Sequence, residues 1–179
     1  MTIKTERLVI DPVRETDKED VFLNIPHDRK VLETFICPYA ETPEEFDFSA
    51  YPANRNILAI RLKDTGRLIG ILVCFNETAE SCEIGYALGS GYWHRGYATE
   101  AVEAYLEHCF RDKGLRTVRA SFFTGNEASR RVMEKCGMTY SRFSEKELTY
   151  LGTERDLTYY EISRDEREQD GNRQDHGKR

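Results

Sequence analysis

The sequence predicts one mixed α/β domain over residues 1–163, built on a mostly antiparallel sheet with helices on both faces, followed by a polar tail over 164–179. Three observations lead there. Apolar positions recur every second residue in some segments and every third or fourth in others, in the order strand, helices, three strands, helix, strand, helix, two strands. A helix stands between the strand at 81–88 and the strand at 116–123, so those two are expected to be parallel neighbours. The short connection Asp64-Thr65-Gly66 joins two β-rich runs, which must then be antiparallel.

Residues 5–12 read as the first strand, with Leu8 and Ile10 on one face and Val9 on the other. Thr16-Asp17 can cap a helix through Val21, Phe22 and Ile25 that ends near Pro26, and a further helical turn is expected over 31–35. Thr42-Pro43-Glu44-Glu45 carries a cap residue, Pro at the first helical position and Glu three after the cap, which predicts a short helix through Phe46. Residues 56–63 and 67–75 form the hairpin, and 81–88 the next strand. From Gly96 the period changes: Ala98, Ala101, Val102, Tyr105, Leu106, Cys109 and Phe110 recur at helical spacing, with Glu100, Glu103 and Glu107 opposite. Gly114 ends that helix, 116–123 is strand-like, and 126–136 is a helix with Gly137 just past its end. Residues 139–146 and 156–162 close the domain as a hairpin with a loop around Gly152. The tail from Arg164 has no apolar residue to bury and is expected to be solvated and disordered.

Composition removes several classes of function. Hydrophobic residues make up 39% and charged residues 32%, as in soluble globular proteins. No apolar run approaches the ~18 residues of a membrane span, and the first residues show no signal peptide. A formal charge of −6 without a clustered basic face argues against nucleic-acid binding. Five cysteines, Cys37, Cys74, Cys82, Cys109 and Cys136, form no CxxC pair, which argues against a disulfide framework and a metal site and for a cytoplasmic protein.

The chemistry concentrates in residues 83–100, EIGYALGSGYWHRGYATE: a strand, a Gly-rich turn and the start of an amphipathic helix. That order presents backbone N–H groups and the positive end of a helix dipole at one point, an anion site. Gly96 lets the backbone approach a ligand, Ala98 keeps bulk away, Thr99 adds a hydroxyl and Arg95 a charge. A nucleoside-triphosphate loop is excluded, because Tyr97 and Ala98 stand where GxxxxGK(S/T) needs Lys and Ser or Thr. A dinucleotide loop is excluded as well, because Gly89-Ser90-Gly91 is followed by Trp93-His94 instead of a third Gly.

This segment resembles the acyl-CoA pyrophosphate loop, (Q/R)xxGx(G/A), of the GNAT acetyltransferases, and in particular of the branch that includes the ribosomal-protein N-terminal (RimJ/RimL-like) enzymes. It falls on Trp93-His94-Arg95-Gly96-Tyr97-Ala98, with Trp at the first position. A second block follows in the family's order: Asn126, Ser129, Val132, Glu134-Lys135, Gly137-Met138. The Thr5-Glu6-Arg7-Leu8 opening and Ile84-Gly85-Tyr86 extend the resemblance.

The resemblance implies the GNAT acyl-CoA N-acyltransferase fold, whose central parallel strands splay to admit the pantetheine arm of acetyl-CoA. It implies backbone contacts to that arm near Ala87 and Leu88, a phosphate loop of His94, Arg95, Gly96, Tyr97, Ala98 and Thr99, and Asn126 beside the pantetheine. It implies acetyl transfer to a primary amine, whether a peptide or protein N-terminus, a lysine or a small-molecule amine, by direct attack in a ternary complex and without a metal. A non-catalytic acyl-CoA-binding module on the same fold is the alternative. An alkyl amine with pKa near ~10.4 needs a base before it can attack. Glu83 is the candidate, since it alternates onto the same side as Gly85 and Ala87. Ser129 lies one turn after Asn126 and reads either as a partner of the departing thiolate or as a small packing residue. Tyr140, Tyr159 and Tyr160 are further hydroxyls. His94 lines the loop, His108 reads as surface or packing, and Phe35 and Tyr39 are candidates for the acceptor side. Monomer and homodimer are both open.

Overall fold

A computed structural model describes residues 1–150 and 152–167. The chain divides into two compact units. The first comprises Met1–Cys74 and Gly85–Tyr105, and the second Phe75–Ile84 with the chain from Leu106 onward.

In the first unit, β1 (Ile3–Lys4), β2 (Leu8–Pro12), β3 (Ile57–Leu62) and β4 (Leu68–Phe75) pair consecutively and antiparallel. The register sets Ile10 against Ile60 and Ala59 against Ile71. Because side chains alternate across a strand, Leu8, Ile10, Leu58, Ile60 and Leu72 share one face. The other face carries Ala59 and Ile71, buried in one cluster with Val21, Phe22, Ile25 and Val31. Those last residues come from α1 (Lys18–Asn24) and α2 (Arg29–Leu32) and the turn between them. The Asp28 carboxylate accepts the Lys30 amide and so caps α2, which begins two residues before the expected 31–35.

The helix expected at 42–46 is absent. Glu45 N–H donates to the Thr42 carbonyl, closing one turn, but the Glu45 carboxylate accepts the amide of Glu41 (2.9 Å), one residue before the cap that a capping box requires. Burial of Phe46 and Phe48 in the same core then fixes the segment as an extended turn, and the short helix α3 forms later, at Ala50–Ala53.

β5 (Ser81–Leu88) begins in the second unit and ends in the first. In the second unit it runs parallel to β6 (Thr117–Phe123), as the intervening helix required, through Ser81↔Thr117 to Ile84↔Ala120. α4 (Tyr97–Glu107) likewise starts in the first unit, then passes into a π-helical turn, His108–Asp112. α5 (Glu127–Lys135) follows β6. β7 (Thr139–Tyr150) and β8 (Thr153–Ser163) form the last hairpin, with β8 antiparallel to β6. Both strands are longer than expected, because irregularities at Tyr140/Arg142 and Ser144/Leu148 carry the pairing past positions where the apolar alternation fails.

One face of the second unit's sheet is apolar and buried: Cys82, Ile84, Val118, Ala120, Phe122, Tyr160 and Ile162. The Tyr160 hydroxyl donates to Glu134 of α5 (3.2 Å), which fixes that helix over this face. The opposite face is polar. The five cysteines are buried and unbridged, with Cys82 and Cys109 Sγ atoms 3.9 Å apart. The start of the expected disordered tail is a helical turn at 164–167, where Ser163 and Glu166 cap each other reciprocally. Its remainder, 168–179, lies outside the described residues.

Candidate active site

Sequence-predicted residues of the phosphate loop all lie in the first unit. After β5 the chain makes a 3₁₀ turn, Ser90–Tyr92, and enters α4 through two residues with positive φ, His94 (60°) and Gly96 (79°). A side chain at Gly96 would be strained by that φ alone, so the resemblance and the backbone demand the same residue. His94 and Arg95 are exposed, while Tyr97, Ala98 and Thr99 form the half-buried first turn of α4. The first i→i−4 bond of this helix runs from Glu100 N–H to the Gly96 carbonyl (3.0 Å), so the amides of Tyr97 and Ala98 precede the intrahelical ladder. The loop fits a phosphate on that ground, and Arg95 adds a charge beside it.

Trp93 shows what an aromatic does at the first loop position. Its ring packs against the first unit's core, and its indole N–H donates to the Leu88 carbonyl (2.7 Å), tying the loop back to the end of β5. That carbonyl is one of the backbone groups expected to meet pantetheine, and here it is engaged by the protein itself. Ala87 is buried too. Its carbonyl oxygen lies 2.2 Å from where a Cβ on Gly70 would stand, so only glycine fits opposite it.

The loop also has a brace that composition and periodicity did not reveal. Arg7, just before β2, donates from Nε to Glu100 Oε2 (2.6 Å) and from Nη1 to the Arg95 carbonyl (2.9 Å), and its guanidinium lies 4.7 Å over the Tyr97 ring. The Arg7 amide and the Thr5 hydroxyl donate to Glu100 Oε1 at 2.8 and 2.5 Å. Burial pushes the Glu100 carboxyl up, but the Thr5 hydroxyl, the Arg7 amide and the Arg7 guanidinium together hold it below its usual value. The only sequence signal was the Thr5-Glu6-Arg7-Leu8 opening, 88 residues from Arg95.

The two acceptor-side candidates separate. Phe35 packs against the core of the first unit. Tyr39 instead lines an open depression of about 580 Å³ with His27, Arg29 and Glu41. The Tyr39 hydroxyl donates to Glu41 (2.5 Å), which raises its pKa, while Arg29 stacks on the ring at 3.9 Å and acts in the opposite direction.

The remaining candidates lie in the second unit. Glu83 is half-buried on the polar face of the sheet. Ser121 Oγ donates to its Oε1 (2.9 Å) and Asn76 Nδ2 to its Oε2 (3.4 Å). Register explains the first contact, for Glu83 faces Arg119 on β6 and Ser121 is the next residue on the same side. Ser121 in turn faces Tyr159 on β8, which faces Arg142 on β7. The Tyr159 hydroxyl donates to Glu147 (2.8 Å), and Arg142 stacks on its ring at 3.7 Å and pairs with Glu147. Burial first, then the bond to Glu147 and the nearby Glu147 and Glu83 charges, push the Tyr159 phenol up to about 12. Arg142, Ser144 and Tyr159 bring Glu147 down to about 2. Of the three tyrosines, Tyr159 is thus the one on the Glu83 side. Tyr160 faces the apolar side, and Tyr140 is 60% exposed.

Asn126 caps α5: its Oδ1 accepts the Ser129 amide (3.1 Å). The side-chain oxygen of Asn126 is therefore committed to the helix, and Ser129 sits half-buried in its first turn.

Residues 7–139 match the family model described as an acetyltransferase (GNAT) domain. The uncharacterized N-acetyltransferase YoaA of Bacillus subtilis (strain 168) is 29% identical over 170 residues, covering 89% of this chain and 95% of that one. A GNAT-family acetyltransferase structure from Bacillus anthracis aligns with a TM-score of 0.83 at 28% identity, covering 91% of this chain and 98% of that one. RimL, a ribosomal L7/L12 alpha-N-protein acetyltransferase solved with coenzyme A, aligns with a TM-score of 0.75 over 91% of this chain and 98% of its own, at 14% identity, a likeness of fold alone. A family match over well more than half of the chain, together with the loop, the parallel strand pair and the capped α5 block, makes this protein a member of the GNAT acetyltransferase family.

Proposed function

We propose that this acetyltransferase carries the acetyl group from acetyl-CoA to a primary amine by direct attack in a ternary complex, with Glu83 as the base. The observation that carries the reading is the turn through His94 and Gly96 into the first turn of α4, which offers backbone amides and a helix dipole to a pyrophosphate. Coenzyme A bound to RimL, on the same fold, supports the donor. Glu83 accepts hydrogen bonds from Ser121 and Asn76, which orient its oxygens on the polar face of β5. In the transfer, the ammonium loses one proton to Glu83 directly or through one water, its nitrogen bonds to the acetyl carbon, and the C–S bond breaks as the second nitrogen proton passes to the departing CoA thiolate, which leaves as the thiol. Ser129 is the hydroxyl assigned to that thiolate.

The test is calorimetric titration of acetyl-CoA, run beside a thiol-release assay over a panel of peptide N-termini, lysine and small amines. Binding is expected, together with turnover that falls about 100-fold or more in Glu83→Gln, the scale of a lost general base. Binding with no turnover on any amine favours the non-catalytic module. No binding rejects the phosphate-loop assignment.

A further inference from the structure

We propose that Arg7 is a positioning residue for the phosphates of acetyl-CoA, acting through Glu100 and the Arg95 carbonyl. This rests on the phosphate-loop reading above. Glu100 lies in the first turn of α4, where the dipole welcomes negative charge. An unneutralised carboxylate at that place competes with a bound pyrophosphate and repels it. Arg7 meets the carboxylate with Nε and Nη2, both 2.6 Å from Oε2, while the Arg7 amide and Thr5 hydroxyl hold Oε1. The same guanidinium holds the loop itself, through the Arg95 carbonyl and the Tyr97 ring, and Nη2 passes 3.4 Å from where a Gly96 Cβ would be. One planar fork therefore neutralises the competing charge and fixes the residue on each side of Gly96. Lysine, a single point of charge, cannot reproduce that set of contacts.

The measurement compares acetyl-CoA with S-acetylpantetheine, which carries the thioester and lacks the phosphates, in wild type, Arg7→Ala, Arg7→Lys and Arg7→Ala/Glu100→Gln. For Arg7→Ala, the ratio of kcat/KM for acetyl-CoA over that for S-acetylpantetheine is expected to fall about tenfold, the scale of one charge-assisted hydrogen bond. The fall should appear in KM for acetyl-CoA more than in kcat, with a matching loss of CoA affinity by calorimetry. Removing the Glu100 charge in the double variant should restore part of that affinity. Arg7→Lys, which keeps the charge and guards against a folding defect, should show a smaller fall in the same ratio. An unchanged ratio in the Arg7 variants, with both donors falling together or neither, overturns the assignment. Absence of acetyl-CoA binding in wild type overturns the phosphate-loop reading itself, and this inference with it.

Discussion

Arg61 is a buried cation whose partners come from far along the chain. It lies on β3 beside a bulge, only 4% exposed, and donates to Asp11 on β2 (2.7 Å) and to both oxygens of Asp17 (2.7 and 2.6 Å). Asp11 also pairs with Arg14. Burial alone would raise the Asp17 carboxyl, but the bonds from Arg61 and the Arg14 amide bring it below its usual value. A carboxyl lowered in the native state adds stability above its unfolded pKa near ~3.9, and that stability is lost as pH falls through the lower native value. Asp17→Asn should therefore destabilise by about 3–5 kcal/mol at neutral pH, because a buried guanidinium loses a charged partner. Urea unfolding as a function of pH checks this: the deficit of the variant should shrink as the pH drops below about 4. Glu83 illustrates the other limit of the residue scale. Its position on β5 was legible from alternation, but Ser121, 38 residues away, was identified only by strand register.

Among the elements, α5 joins an observed cap and an expected ligand contact on one residue. Asn126 caps the helix through Oδ1, while the family resemblance places its side chain beside pantetheine. Asn126→Ala should cost about 1 kcal/mol in urea unfolding, and Asn126→Asp should recover most of it, since a carboxylate oxygen caps as well as an amide oxygen. The acetyl-CoA KM should rise in both variants, because each removes the amide N–H donors. A normal KM in Asn126→Asp would reduce Asn126 to a cap. The failure of the 42–46 helix belongs to this scale as well. The local cap signal was present, but Phe46 and Phe48 gain more by entering the core than one helical turn would return. β7 extended past its apolar pattern because the ladder to β8, and not burial, continues it.

At the scale of the molecule, the chain passes between its two units inside β4, inside β5 and inside α4, and the last two flank the proposed phosphate loop. Acetyl-CoA that binds only the native protein stabilises it by RT ln(1 + [L]/Kd), about 2.7 kcal/mol at one hundred times Kd. For a protein of this length that is roughly 5–10 °C in melting temperature. A thermal scan with acetyl-CoA should show that rise, while S-acetylpantetheine at the same concentration should show much less, because it lacks the phosphates that the proposed loop would hold. Equal shifts would place the binding energy on the pantetheine arm.

The sequence by itself determined β2 through β6, α4, α5, the parallel relation of β5 and β6, and the family, because each is written in local periodicity, glycine placement and short motifs, whereas β1 and the full lengths of β7 and β8 came only from the pairing. Tertiary structure alone decided that Arg7 and Thr5 hold Glu100, that Trp93 closes on the Leu88 carbonyl, that Phe35 is core while Tyr39 lines a depression, and that Tyr159 shares the Glu83 face. Those contacts join residues brought together by strand register and by competition for the core, and neither leaves a local mark on the chain.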